Sequence, residues 1–273
     1  MNNSNVAPLE NRAKQLRRKI LKLIHRAGSG HPGGSLSATD ILTALYFGGI
    51  LQYDPKNHQK PDRDRFLLSK GHASALMYCV LAEAGYFSEG DLSDYRKINS
   101  KLFLSGHPHP KTPGVEIASG SLGQGLSVAH GIALGIRSDY PSARVYVVLG
   151  DGELQEGQIW EAAMSASKFK SSNLIAIVDN NKVAQDNVTK DLKDLEPLEE
   201  KWRSFGWETV RIDGHNMDQI MKALEKPVNP EKPRVIIADT IKGKGVSFME
   251  GQTAWHGVAP NDEKLEAALK ELE

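Results

Sequence analysis

Val145-Tyr146-Val147-Val148-Leu149-Gly150-Asp151-Gly152-Glu153 is the stretch that decides the fold class. An unbroken apolar run, too short for a helix, ends directly in a carboxylate between two glycines. Such a run reads as a strand buried on both faces, as in a parallel sheet. Leu174-Ile175-Ala176-Ile177-Val178 repeats the pattern and ends in Asp179-Asn180-Asn181-Lys182-Val183. Phe66-Leu67-Leu68, residues 207–212 and residues 234–239, which include Val235-Ile236-Ile237-Ala238, are further strands. Helical periodicity fills the gaps at 157–169, 197–205 and 217–225. Strands alternating with helices predict a three-layer α/β fold, with a mostly parallel sheet and helices on both faces.

Upstream, Leu9, Leu16, Ile20, Leu23, Ile24 and Ala27 recur at helical spacing and stop at Gly28-Ser29-Gly30. Further helices are expected over Ser37–Phe47, Ala73–Ala84 and Asp91–Leu104. Prolines make Ser105 to Gly114 a loop. The turn Gly120-Ser121-Leu122-Gly123-Gln124-Gly125 opens a helix that runs through Ile136, and Glu263–Glu273 is expected as a surface helix. With no repeat and no low-complexity linker, residues 1–273 read as one domain with a helical tail at 260–273.

The chain has 273 residues, enough to hide roughly three-quarters of its unfolded surface. Lys+Arg 34 against Asp+Glu 34 leaves no excess charge for a general polyanion binder, so nucleic acid is not an expected partner. No apolar run approaches the ~20 residues that span a bilayer, so no membrane is expected. MNNSNVAPLENRAKQL lacks the apolar core of a secretory leader. Cys79 is the only cysteine, which excludes an internal disulfide or thiolate metal cage, and it reads as core packing. By elimination the expected address is cytoplasmic.

Ligands of open α/β sheets bind outside the carboxyl ends of the strands. Neighbouring parallel strands would place Asp151 and Asn181 side by side there. Asp151 is expected as an exposed carboxylate that contributes little to the core. One carboxylate, one amide oxygen and a backbone carbonyl, completed by phosphate oxygens and water, suit a hard cation such as Mg²⁺. Gly-Asp-Gly alone is equally well a tight turn; a second apolar strand ending in its own polar cluster favours a site. His31, His72, His107 and His256 lie next to glycine or proline in predicted loops. His25, His58 and His130 read as structural or surface residues, while His109 and His215 stay open.

The Gly-Asp-Gly to Asn-Asn span resembles the diphosphate-binding signature of thiamin diphosphate enzymes. Over nearly its whole length the chain is similar to the N-terminal half of a transketolase. The likeness includes Ser29-Gly30-His31-Pro32-Gly33-Gly34, Asp62-Arg63-Asp64-Arg65-Phe66, Lys70-Gly71-His72-Ala73-Ser74 and Gly106-His107-Pro108. It continues through Gly123-Gln124-Gly125, the stretch Gly150 to Gly157, Asp213-Gly214-His215 and Trp255-His256-Gly257.

The resemblance implies the diphosphate-binding module of the thiamin diphosphate fold. Asp151, Asn181 and the Val183 carbonyl would hold Mg²⁺, or another divalent cation such as Ca²⁺ or Mn²⁺. Gly120, Leu122, Gly152, Glu153 and Asn181 would sit against the cofactor, with His72 and His256 approaching its diphosphate. His31 and His107 would line the sugar pocket, with His256 as a third catalytic histidine. Lys244 would either neutralise phosphate or remain a solvated lysine. Ketol transfer moves a proton off a ketose hydroxyl and another onto the acceptor aldehyde, and an imidazole can do both. Glu156 and Glu161 would face a subunit interface; the plainer reading is favourable negative charge at a helix N-terminus.

Transketolases also need a glutamate from a pyrimidine-binding domain, for which no candidate sheet follows residue 239. The likeness therefore implies the N-terminal subunit of a split transketolase, in a heterotetramer with a C-terminal subunit carrying that domain. Such an enzyme acts on sugar phosphates, as in the pentose phosphate pathway. Ser121 stands where full-length transketolases commonly have proline. That departure and Trp255-His256-Gly257 are also similar to deoxyxylulose-phosphate synthases, whereas Glu156 favours transketolase. The alternatives are half of an acyloin-forming synthase and a non-catalytic, cofactor-binding chain.

Overall fold

The computed structural model describes residues 6–273; the first five residues of the stretch read as lacking a leader lie outside the described residues. The chain opens with α1 (Ala7–Ala27), which Gly28 ends in the left-handed conformation at φ 64°. A short α2 (Pro32–Ser37) and α3 (Thr39–Phe47) follow. The single helix expected from Ser37 is broken at Ala38, where ψ opens to 2°. Strand β1 (Arg65–Leu68) leads into α4 (Ser74–Glu83).

The helix expected over Asp91–Leu104 does not form. Only a 3₁₀ turn at Glu89–Asp94 is present, with Ser88 and Asp91 capping it reciprocally. Beyond it Arg96 and Phe103 take positive φ of 59° and 54°, which a right-handed helix excludes. Arg96 N–H donates to the Leu104 carbonyl at 2.7 Å, closing a loop where a helical ladder was expected.

From there the alternation is regular. α5 (Gly125–Ile136) precedes β2 (Val145–Gly150), then α6 (Gly157–Lys168) and β3 (Leu174–Asn180). A one-turn α7 (Thr189–Leu192) and α8 (Leu198–Ser204) lead to β4 (Glu208–Asp213). α9 (Met217–Glu225), β5 (Arg234–Asp239) and α10 (Asp262–Glu271) complete the order. The five strands lie in the order β1-β2-β3-β5-β4, and every pairing is parallel.

Alternate strand residues feed two cores, as the two-residue period of a strand requires. Phe66, Tyr146, Val148, Ile175, Ile177 and Ile236 pack with Leu16, Ile20 and Ile24 of α1 and with α3, α4 and α9. Leu67, Val147, Leu149, Ala176, Val178 and Ile237 pack with α5, α6 and α8. Each fully buried leucine or isoleucine contributes roughly 1.5–3 kcal/mol. Cys79 is buried in the first core, as expected. α10 lies against α1 through buried Ala268 and Leu272, with its N-terminus capped by Asn261. Among the described residues no helix is long and apolar enough to cross a membrane.

Candidate active site

Four neighbouring strands deliver their carboxyl ends to one place. β1 runs into Ser69-Lys70-Gly71-His72, β2 into Asp151, β3 into Asn181 and Val183, and β5 into Thr240-Ile241-Lys242. A cavity of about 350 Å³ opens there, bordered by His31, His72, His107, Gly120, Leu122, Asp151, Gly152, Glu153, Asn181, Val183, Lys242 and His256 among others. Because Gly150 pairs with Asp179 in the β2–β3 register, Asp151 and Asn181 leave adjacent strands side by side.

Asp151 departs from expectation in one respect: it is 3% exposed. Its Oδ2 accepts from Lys182 N–H at 2.7 Å and from the Thr189 hydroxyl at 2.9 Å. Burial raises its pKa, and the Thr189 hydrogen bond opposes that. Asn181 Oδ1 accepts from Val183 N–H at 3.1 Å, and its Nδ2 donates to Asp179 Oδ2 at 3.3 Å. The cavity therefore presents a carboxylate, an amide oxygen and a backbone carbonyl, all hard oxygen donors.

Two lysines that the sequence pattern did not single out line the cavity. Lys70, 1% exposed, donates to the Gly34 carbonyl at 2.9 Å and to the Asp179 carboxylate. Asp179 also accepts from the Ser37 and Thr240 hydroxyls. Burial alone would raise its pKa, but Lys70 and these hydroxyls hold it below the usual range. Lys242 donates to the carbonyls of Val183 at 3.0 Å and Ala184 at 2.7 Å, and lies 2.8 Å from His256 Nδ1. Burial and the nearby Lys70 push its pKa down to about 8.

Lys244, the lysine expected near phosphate, is not on the cavity. Gly243 and Gly245 carry φ of 80° and 91°, and the turn between them leaves Lys244 3.6 Å from Glu250. Its neighbour two residues earlier points inward. Both lysines stand in the same Lys-Gly-Lys-Gly string, so only proximity to the end of β5 distinguished Lys242.

His31, His72 and His256 form a cluster with all three ring centroids 5.3 Å apart. His31 Nδ1 is buried without a hydrogen-bond partner among the described residues. Burial, then Arg96 and other cations, push His31 down to about 4. Burial and Lys242 bring His256 to about 4 as well, and burial with Lys70 lowers His72. Lys242 must donate to His256, so Nδ1 accepts and the neutral ring carries its proton on Nε2. His107 stands at the mouth, exposed, beside Gly120. A Cβ on Gly120 would come within 3.0 Å of its ring.

Glu153 borders the cavity, but both its oxygens are occupied. Oε1 accepts from the Ser69 hydroxyl and from Gly123 N–H, and Oε2 accepts from Gly150 N–H. Its carboxylate braces three loops and has no oxygen turned wholly to a ligand. Leu122 is 40% exposed at the rim, and a Cβ at Gly152 would meet only Ala184 Cβ, 3.7 Å away. Glu156 and Glu161 are exposed on the α6 end and stand outside the cavity lining. His215, left open by the sequence, contacts Asp40 at 2.7 Å and is a structural residue. His109 stacks on Phe103. His130 lies between the Ser165 and Ser171 hydroxyls, and His25 contacts Pro260 O.

Comparison with known proteins adds three findings. The family described as "Transketolase, thiamine diphosphate binding domain" matches residues 10–272. The chain is 45% identical over 266 residues to one subunit of an apulose-4-phosphate transketolase from Actinobacillus succinogenes, covering 97% of this chain and 95% of that one. It is 44% identical to a 6-deoxy-6-sulfo-D-fructose transketolase subunit of a Clostridium species, covering 97% and 96%. Among solved structures, transketolase from Campylobacter jejuni superposes with a TM-score of 0.91 at 36% identity, covering 98% of this chain and 43% of that one.

Proposed function

The chain belongs to the thiamine diphosphate-binding family of transketolase N-terminal domains, and from that premise we propose that it is the diphosphate-binding subunit of a two-chain transketolase. It transfers a two-carbon ketol unit from a ketose phosphate to an aldose phosphate, together with a separate C-terminal subunit that carries the pyrimidine-binding domain. The observation that carries this reading is a cavity combining a cation-binding oxygen set, two inward lysines and a cluster of neutral histidines. Two of the similar proteins are named as subunits of transketolases and match this chain end to end. Sugar phosphates are charged and do not cross membranes, so we place the enzyme in the cytoplasm.

The residues present fit the cofactor. Asp151, Asn181 and the Val183 carbonyl are hard oxygen donors suited to Mg²⁺, Mn²⁺ or Ca²⁺. Lys242 already rests its ammonium on the Val183 carbonyl, so that oxygen is placed to meet a cation. The uncrowded backbone at Gly152 leaves room for a diphosphate oxygen, and Lys70 and Lys242 supply positive charge. When bound, thiamin diphosphate supplies the nucleophilic carbon that takes up the ketol unit. His31, unprotonated at neutral pH and bordering the cavity, accepts a hydroxyl proton; His107, at the mouth, contacts the sugar oxygens. His256 holds its proton on Nε2, where it is available to a substrate or diphosphate oxygen.

The test is an assay of the chain alone and with its C-terminal partner, given cofactor, Mg²⁺ and ketose phosphate donors. Turnover that needs both chains and releases no CO₂ is expected. Full turnover by the lone chain would overturn the split-enzyme reading, and consumption of a 2-oxo acid with CO₂ release would make it a synthase half.

A further inference from the structure

Arg96 is outside the cavity lining, yet its guanidinium touches both segments that carry the mouth histidines. Nη1 donates to the Ser29 hydroxyl at 3.3 Å, two residues before His31. The same guanidinium covers Gly106, the residue before His107; a Cβ there would lie 2.9 Å from Nη2. Its Nε donates to the Tyr95 hydroxyl at 3.2 Å. Tyr95 OH meets Ser74 Oγ at 3.3 Å, and Ser74 donates to the Gly106 carbonyl at 2.8 Å. Tyr78 donates to the His107 carbonyl at 3.0 Å from the same side. Arg96 reaches this position only by adopting φ of 59°, an unfavourable conformation for a non-glycine residue that persists where surrounding contacts enforce it.

We propose that Arg96 is a positioning residue for the two mouth histidines: one guanidinium clamps the His31 segment to the His107 segment and presents a permanent positive charge to both rings. The proposal deepens the transketolase reading and rests on it for the role of the histidines. A planar fork suits the task, because its donors are fixed in direction and the charge cannot be lost by deprotonation. The electrostatics agree. After burial, Arg96 is the largest cause lowering His31 and the remaining cause lowering His107. The other groups facing His31 are His107, Lys242 and Lys70, together with the rings of His72 and His256. With Arg96 in place both imidazoles remain proton acceptors at neutral pH, and the spacing between them is set by a contact to each loop.

Two measurements on Arg96→Met and Arg96→Lys test this. The first is an NMR titration of ¹³C-labelled histidine in the full chain, with His31 and His107 assigned by single substitutions. Arg96→Met is expected to raise both midpoints toward 6.5 and leave His130 unmoved, because burial and Arg137, not Arg96, lower that ring. The second is steady-state kinetics of the two-chain enzyme. A misplacement of about 1 Å costs about 10²-fold, so kcat should fall on that order while the affinity for thiamin diphosphate holds. Arg96→Lys keeps the charge without the fork; it should retain the wild-type midpoints and still lose turnover. Unmoved midpoints in a folded Arg96→Met, or wild-type kcat in Arg96→Lys, would overturn the proposal. If Arg96→Met does not fold, the lysine variant alone decides it. Shifted midpoints in a chain whose wild-type complex turns over no ketose phosphate would leave the clamp standing and remove the transketolase reading.

Discussion

Asp151 does two jobs with one carboxylate. It fixes the Lys182 amide and Thr189 while facing the cavity, so its removal and its neutralisation are different experiments. Asp151→Asn keeps an acceptor and the shape but loses the charge a divalent cation needs. Loss of an outer-shell partner typically costs 10–100-fold in metal affinity, so loss of the ligand charge should exceed about 100-fold in Mg²⁺-dependent cofactor binding. Calorimetry with the partner chain present checks this, and unchanged affinity would remove the metal assignment. Asp151→Ala should in addition destabilise by roughly 1–3 kcal/mol, because the buried Thr189 hydroxyl and the part-buried Lys182 amide lose their acceptor. For His31→Ala and His107→Ala, turnover should fall roughly 10²–10⁴-fold with a far smaller change in cofactor affinity. Burial and Arg96 lower His31 to about 4, so it stays unprotonated down to that region. The acid limb it contributes to kcat/KM should therefore fall near pH 4 and not near 6.5. An acid limb near 6.5 that His31→Ala abolishes would refute this assignment.

Elements are held around the site by buried charge. Asp40 on α3 accepts two hydrogen bonds from Arg17 of α1, at 3.0 and 2.6 Å, and lies 2.7 Å from His215 Nδ1 beyond β4. His215 Nε2 accepts from Ile241 N–H at 2.8 Å, next to Lys242. That bond fixes the tautomer, with the proton on Nδ1 toward Asp40. The triad thus joins two helices to the loop that carries an inward lysine. Asp40→Ala would strand Arg17, which is 7% exposed, and should cost about 3–5 kcal/mol in urea unfolding. Replacing both partners by Arg17→Met with Asp40→Leu should recover much of it, since an apolar pair avoids the desolvation penalty. A loss below about 1 kcal/mol in the single variant would show that the pair is dispensable. Burial alone would raise Asp40, but Arg17 and His215 bring it below its usual value. Its stabilisation is therefore complete above the unfolded-state pKa and disappears as pH falls through the lower folded-state value. The wild type should lose this contribution on acidification, and Asp40→Ala should show a flatter pH dependence there.

At the scale of the whole molecule the cavity is one-sided. Its mouth carries exposed His107 and Leu122, and α5 and α6 present exposed Val128, Glu161 and Met164 nearby. The chain spans about two-fifths of the length of the solved transketolase from Campylobacter jejuni, and in the two-chain enzyme proposed above the C-terminal subunit would supply the facing domain. Closed two-fold assemblies are the commonest, and Glu156 and Glu161 are exposed, free to meet a symmetry mate in the assembly proposed above. The active complex should therefore contain two copies of each chain. Light scattering across a dilution series reads the mass directly, and a fully active one-to-one pair would refute the arrangement.

What the amino-acid order determined by itself is what local pattern can carry. Apolar runs of strand length, helical periods between them and polar clusters at strand ends specify a doubly covered parallel sheet. They also specify which end of it carries the cavity, because each signal lies within a few neighbouring residues. That His31, His72, His107, His256 and Asp151 border it was legible for the same reason, since each stands beside glycine or proline. Tertiary structure decided the rest. Lys242 and Lys244 are equivalent in the string, and only the positive-φ turn at Gly243 and Gly245 turns one inward and the other toward Glu250. Asp151 proved buried because Thr189 and the Lys182 amide fold over it from the following loop. The Lys70–Asp179 pair spans 109 positions, and the contact of Arg96 with Ser29 joins segments 67 positions apart. Residues 91–104 read as a helix, yet the chain closes into a loop there, with Arg96 and Phe103 at positive φ and the Arg96 amide on the Leu104 carbonyl. Contacts of that kind depend on the direction a side chain leaves the backbone and on what distant strands place opposite it, and neither is written in local sequence.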